Sequence, residues 1–206
     1  MLCRVLEGIQ QFASRGTLPT EVTTNCARYG IDSKASQFTV HAFSSGLAAI
    51  VAHSPKFAIR DFSGEAGFNP DTFGEAFVRM KIKTSSLEIM DEVDAKHRRE
   101  LERRMYDEVL ETRIFPEIMF ESAQVTANKV SENRYSASVN GKLTLHGVTK
   151  SHSFSTEVVV GADTIRGVGE FKVRQTAYGI EIPSFPGGTM RDDLTLAFYI
   201  VASRLR

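Results

Sequence analysis

Five histidines (His41, His53, His97, His146 and His152) and two cysteines (Cys3 and Cys26) are the side chains of this 206-residue chain best suited to metal or nucleophilic chemistry. Their spacing argues against both. The cysteines form no C-x-x-C or zinc-finger pattern and precede the regularly patterned part of the chain. His146 and His152 stand on one expected strand and at the start of the next, so they could converge, but two histidines without a supporting carboxylate do not make a zinc site. The chain has no P-loop, no dinucleotide-binding glycine fingerprint, no nucleophile elbow, no H-E-x-x-H helix and no EF-hand loop. We therefore expect a hydrogen-bonded structural role for each histidine, with no catalytic residue, metal or cofactor. Asp61 is likewise expected to fix the turn before Ser63-Gly64 through an Asx-type bond rather than to do acid-base work.

Acidic and basic side chains balance at 25 each, so no global field recruits nucleic acid or an anionic membrane surface. The length suits one good core. No stretch is long enough to span a bilayer. The opening Met1 to Glu7 breaks its apolar runs at Arg4 and Glu7, short of the roughly 7–15 apolar residues of a secretory signal. These features predict a soluble, cytoplasmic protein. Residues 1–34 read as an N-terminal extension, with a short helix over Val5 to Phe12 and a tether through Gly16, Pro19 and Thr20 to Thr24. The main domain is expected over 35–206.

The elements that would position any functional group are strands. Phe38 and Val40 alternate with Thr39 and His41, Phe57 and Ile59 with Ala58 and Arg60, and Val78, Met80 and Ile82 with Arg79, Lys81 and Lys83. Ile118 and Phe120, then Tyr135, Ala137 and Val139, then Leu143 and Leu145 continue the period. Alternation with charge on one side marks antiparallel sheet with one wet face, and many such strands point to a sandwich or a closed barrel. Gly46, Gly64, Gly67, Gly167 and Gly169 suit either bulges and close backbone approach or simple turns. Asn140-Gly141 predicts a type I′ hairpin pairing Arg134 to Val139 with Lys142 to His146.

One segment departs from period two. Over Asp91 to Thr112, Val93, Leu101, Met105 and Val109 recur at multiples of four, and Asp94–Arg98 and Glu100–Arg104 are spaced as i,i+4 ion pairs. This predicts an amphipathic helix that stops before Pro116. Its basic run (Lys96, Arg98, Arg99, Arg103, Arg104) is interleaved with Glu100 and Glu102, as expected of a solvated face. The helix should lie across the sheet or cap one mouth.

Leu143 to Lys150 resembles the signature segment of the YceI-like family of lipid- and polyisoprenoid-binding proteins. Asp61 to Glu65, Phe115 to Ser122, Arg174 to Ile180 and the apolar run Leu194 to Ala202 resemble its other landmarks, in the same order. The resemblance implies an elongated, lipocalin-like antiparallel barrel of about eight strands, a size that can hold one small ligand. His146 lies inside this signature, and alternation turns it outward, where a ring nitrogen could bind the turn at Gly147 to Thr149.

The inward candidates are Phe38, Val40, Phe57, Ile59, Val78, Met80, Ile82, Ile118, Phe120, Tyr135, Leu143, Leu145, Phe154, Phe171, Tyr178 and Phe198. Residues of this kind either fill a core or leave an elongated cavity. The resemblance favours the cavity and implies a hydrophobic or isoprenoid lipid in it, with the helix's apolar stripe at the entrance. Two alternatives stay open. One is an enzyme or haem-type binder using His41, His53 or His152; the other is a stress-related interaction module with a filled core. The closing strand is apolar on both faces, with Ala197, Tyr199 and Val201 outward, so we expect the helix, the extension or a second subunit to cover it, the last as a homodimer.

Overall fold

The computed structural model describes residues 26–45, 54–69, 75–185 and 188–206. In chain order the strands are β1 (Ala27–Ile31), β2 (Gln37–Ser45), β3 (Lys56–Ile59), β4 (Phe62–Phe68), β5 (Phe77–Lys83) and β6 (Leu87–Ile89). Helix α1 (Ala95–Arg104) follows. Then come β7 (Glu117–Ser131), β8 (Arg134–Leu145), β9 (Val148–Val160), β10 (Thr164–Arg174), β11 (Ser184–Phe185) and β12 (Gly188–Arg204).

Every pairing is antiparallel. The order β1-β4-β5-β7-β8-β9-β10-β12 returns to β1 through Tyr29–Arg204 and Ile31–Ala202, closing an eight-strand barrel. The period-two rows produce this closure because one face of every strand is apolar and has to be buried. The opposite face carries ion pairs from strand to strand: Glu65 meets Arg28 and Arg79, Arg79 meets Glu121 at 2.9 Å, and Lys81 meets Glu117 at 3.0 Å. Such exposed pairs stabilise by about 0–1 kcal/mol each. Their main effect is to keep the outer face wet.

The barrel changes character along its axis. At one end β1, β4 and β5 complete the wall. At the other, β2, β3 and β6 continue the sheet from β12, and among the described residues β6 has no further partner strand. An unpaired edge needs partners, and the helical segment supplies them. The Arg98 guanidinium donates to the carbonyls of Ile89 at 2.6 Å and Asp91 at 2.9 Å, and the Tyr106 hydroxyl donates to that of Leu87.

Several sequence expectations are corrected. Ala27–Ile31 is a barrel strand, so the domain begins before residue 35; the helix expected at Val5 to Phe12 lies outside the described residues. Asn140-Gly141 is no hairpin: it sits inside β8, and the turns fall at Glu132-Asn133 and His146-Gly147. The apolar period runs unbroken from Tyr135 through Gly141 to Leu145. That pairing pattern outweighs a local turn signal. Gly141 serves close approach instead, since a Cβ there would lie 2.4 Å from the Glu121 carbonyl and 2.6 Å from the Phe120 ring, beside a register shift in β7. The hairpin turn has His146 at φ 50° and Gly147 at φ 72°, the positive pair that a type I′ turn requires.

The helix is shorter than the expected 91–112. Asp94 caps it, accepting from the backbone N–H groups of Lys96 and His97. It ends in a π turn over Met105–Val109, with Leu110 N–H donating to the Met105 carbonyl. Neither expected i,i+4 pair forms, because Asp94 is the cap and Arg98 pins β6. Arg103 instead pairs with Glu100 and Arg104 with Glu108. The helix also does not cover the outer face of β12, where Tyr199 remains 39% exposed beside Val168 at 48%.

Candidate functional site

A cavity of roughly 580 Å³ runs inside the barrel from Phe68, Ile165 and Ala202 at one end to α1 and residues 181–184 at the other. This is within the usual range for small-molecule sites, roughly 300–1,000 Å³. Its wall comes from inward rows of nearly every strand. Of the inward candidates, Phe38, Val40, Phe57, Ile59, Val78, Met80, Ile82, Ile118, Phe120, Tyr135, Leu143, Leu145, Phe154, Phe171 and Phe198 lie on this wall. Tyr178 does not. It is buried behind the wall in the turn Thr176–Tyr178, and burial raises its phenol pKa.

The inward candidates also left out wall residues that matter. Ala66, Ala137 and Gly167 stand at inward positions with small side chains or none, leaving space where a larger residue would fill it. A Cβ on Gly167 would meet nothing closer than the Thr156 hydroxyl at 3.6 Å. The sequence signal was present: Ile165, Gly167, Gly169, Phe171 and Val173 form one inward row interrupted by two glycines.

The helical end carries the polar groups. Leu101, Met105 and Val109 of the expected stripe do line the cavity, joined by Arg104 and Glu108 from the same segment and by Glu181 and Ser184 opposite. Arg104 Nε lies 3.3 Å from Glu108 Oε2, and their side chains are 41% and 48% exposed. This is an apolar chamber with a charged rim.

The rim is fastened by an unusual pair. Glu111 at φ 44° and His146 at φ 50° are the non-glycine residues with positive φ among those described, a conformation that costs roughly 1–3 kcal/mol. Their side chains meet, His146 Nε2 to Glu111 Oε2 at 2.8 Å, with the Phe115 ring 4.1 Å from the imidazole. His146 therefore ties the β8–β9 turn to the end of the helical segment rather than binding its own turn. Asp61 is corrected similarly: its carboxylate faces Lys83 Nζ at 3.8 Å, and its carbonyl accepts from Lys83 N–H and the Ser86 hydroxyl.

His146 and His152 keep different company. His152 stands edge-on to Phe171 with centroids 5.0 Å apart, and its Nε2 is buried without a hydrogen-bond partner among the described residues. Burial lowers its pKa. His41 lies against Phe43 on the outward side of β2, and His53 is outside the described residues. No group of three or more His, Cys, Asp or Glu among the described residues is placed to hold a metal. No helix there is long and apolar enough to cross a membrane.

Residues 29–202 match the model of the YceI-like domain. Burkholderia cenocepacia BcnA shares the fold at TM-score 0.67 and 18% identity, over 84% of this chain and 99% of its own. A polyisoprenoid-binding domain from Saccharophagus degradans, implicated in plant cell wall breakdown, aligns at TM-score 0.63 and 15% identity, over 86% and 98%. A Campylobacter jejuni YceI protein aligns at 0.52 and 16%, over 72% and 83%. Among curated proteins none matches significantly.

Proposed function

This chain belongs to the YceI-like domain family, and on that premise we propose that it is a non-catalytic binding protein enclosing an amphiphilic lipid, of the polyisoprenoid, isoprenoid quinone or fatty-acid-like class. The observation that carries the reading is the continuous apolar cavity. A wall of Phe, Ile, Leu, Val and Met offers a hydrocarbon chain dispersion contacts and few polar groups to desolvate, and Met80 and the phenylalanines adapt to branched methyls. Each buried methylene stabilises by roughly 0.8 kcal/mol, so about ten give a gross ~8 kcal/mol, near micromolar affinity before ordering costs.

The charged rim suits the other half of an amphiphile. Arg104 and Ser184 stand where a carboxylate, phosphate or quinone oxygen would remain after the tail has entered. The similarity to a domain described as polyisoprenoid-binding supports the same class. A filled-core interaction module has no comparable support.

Native mass spectrometry of gently purified protein, followed by solvent extraction, tests the reading. A stoichiometric lipid-sized mass is expected. A clean apo mass, with no uptake of added isoprenoids or fatty acids, would overturn it.

A further inference from the structure

The barrel wall is unevenly zipped. β8 pairs with β9 along its whole length, from Arg134–Val159 to Leu145–Val148, and β10 with β12 from Thr164–Ser203 to Arg174–Asp193. Between them, the β9–β10 ladder covers only Ile165–Val168 against Glu157–Val160. The Thr156 hydroxyl donates to the Val168 carbonyl at 2.9 Å just above the last rung. Beyond it the two strands run on, toward Val148 and Arg174, outside that ladder.

Aromatic rings occupy this seam. Phe154 and Phe171 stack at 5.1 Å, Phe198 meets Phe154 edge-on at 5.7 Å, and His152 closes the group against Phe171. Rings and an imidazole whose Nε2 lacks a partner among the described residues are held by dispersion rather than by directional bonds, so they can turn aside without breaking a ladder. On the outside, a shallow groove crosses the same place and carries the exposed Val168 and Tyr199. Thr156 and Phe198 line both that groove and the internal cavity. One ring and one threonine thus separate the apolar interior from an outer groove of mixed lining, in which Val168, Ala197 and Tyr199 stand among Gln37, Glu157 and Glu170.

We propose that the seam between β9 and β10 is a lateral port, through which the hydrocarbon chain of a lipid passes from the outer groove past Phe198 and Phe171 into the cavity. This rests on the lipid-binding reading. The helical mouth is a poorer route for a tail: it is ringed by Arg104, Glu108 and Glu181, and the helical segment is fastened by Arg98, Tyr106 and the Glu111–His146 contact. At the seam the groups that part the groove from the cavity are the Phe198 ring and the Thr156 hydroxyl, neither of them charged.

Continuing the β9–β10 register would set Ser153 opposite Lys172, both exposed. In a Cys3→Ser, Cys26→Ser background, Ser153→Cys with Lys172→Cys allows the seam to be locked by a disulfide and released by reductant. Stopped-flow uptake and displacement of 11-(dansylamino)undecanoic acid are then compared between the oxidised and reduced forms. The port predicts at least tenfold slower uptake and release when oxidised, at an affinity unchanged within about twofold. Equal rates would overturn the port and leave the lipid-binding reading standing, whereas no probe binding by either form would overturn both. Hydrogen exchange gives a check that needs no cross-link. Amides facing across the seam should exchange at least tenfold faster than those in the Glu157–Val160 rungs, and equal protection would overturn the port.

Discussion

The two ends of this barrel are built from the same alternating strands and solve different problems. At the end closed by β1, Tyr29, Phe68, Tyr135, Ile165 and Ala202 bury against one another, with the Phe68 and Tyr135 rings edge-to-face at 5.6 Å, and β1 joins β4 to β12. At the helical end the sheet of described residues stops at β6, and a helix and side-chain hydrogen bonds take the place of a further strand. Closure by ladder and packed rings is cooperative. Closure by a few long side chains can be undone locally. The fold thus concentrates cooperative closure at one end and locally reversible closure at the other.

The largest test of that separation is Phe68→Ala. Truncating a buried phenylalanine costs about 3–5 kcal/mol, and here it also removes the ring against Tyr135. Global stability should fall by that amount in a urea titration. A loss below 1 kcal/mol would show that the end closed by β1 is not the stabilising one.

Arg98→Ala should come next, in a different currency. It leaves the carbonyls of Ile89 and Asp91 without their charged donor, and hydrogen bonds of that kind are worth about 1.5–3 kcal/mol. We expect hydrogen exchange to rise over α1 and β6 while β8 and β9 stay protected. A uniform rise across the barrel would mean that the two ends unfold as one unit.

How far these features could be read from the sequence differs between the ends. Inward rows such as Val78, Met80 and Ile82 are legible because the strand period is two and burial selects one face. What periodicity cannot report is whether neighbouring strands pair along their whole length, so the split between β9 and β10 left no trace in the pattern. Arg98 looked like the partner of Asp94 because local spacing is visible and the free edge of β6 is not. Asn140-Gly141 misled for a related reason: a glycine required for close approach to Phe120 carries the same letters as one required for a turn. The Glu111–His146 contact spans 35 residues and depends on two positive φ angles, neither of which composition encodes.

Gly167→Leu sharpens the comparison midway along the barrel. The added side chain extends into open cavity beyond the Thr156 contact, so stability should hold within about 1 kcal/mol, the lower edge of ordinary overpacking. Affinity for a dansyl fatty-acid probe should fall at least tenfold, equivalent to about 1.4 kcal/mol. Unchanged binding together with a stability loss of a few kcal/mol would identify the space as packed core.

The smallest effect is a pH signature at His152. Burial beside Phe171 lowers its folded pKa, while the unfolded chain keeps the ordinary value near 6.5. Between the two values the unfolded state binds the extra proton, so stability rises with pH in that window. The contribution is complete above about pH 6.5, declines as the pH drops below it, and levels off once the folded form is protonated too. Asp94, held to about 2 by its hydrogen bonds with His97, acts well below this range. Urea midpoints at about pH 7.5, 6.5 and 5.5 should therefore fall for the native chain and fall less for His152→Phe. Parallel curves would mean that water reaches His152 in the folded barrel, and that the seam is hydrated rather than closed by its aromatic rings.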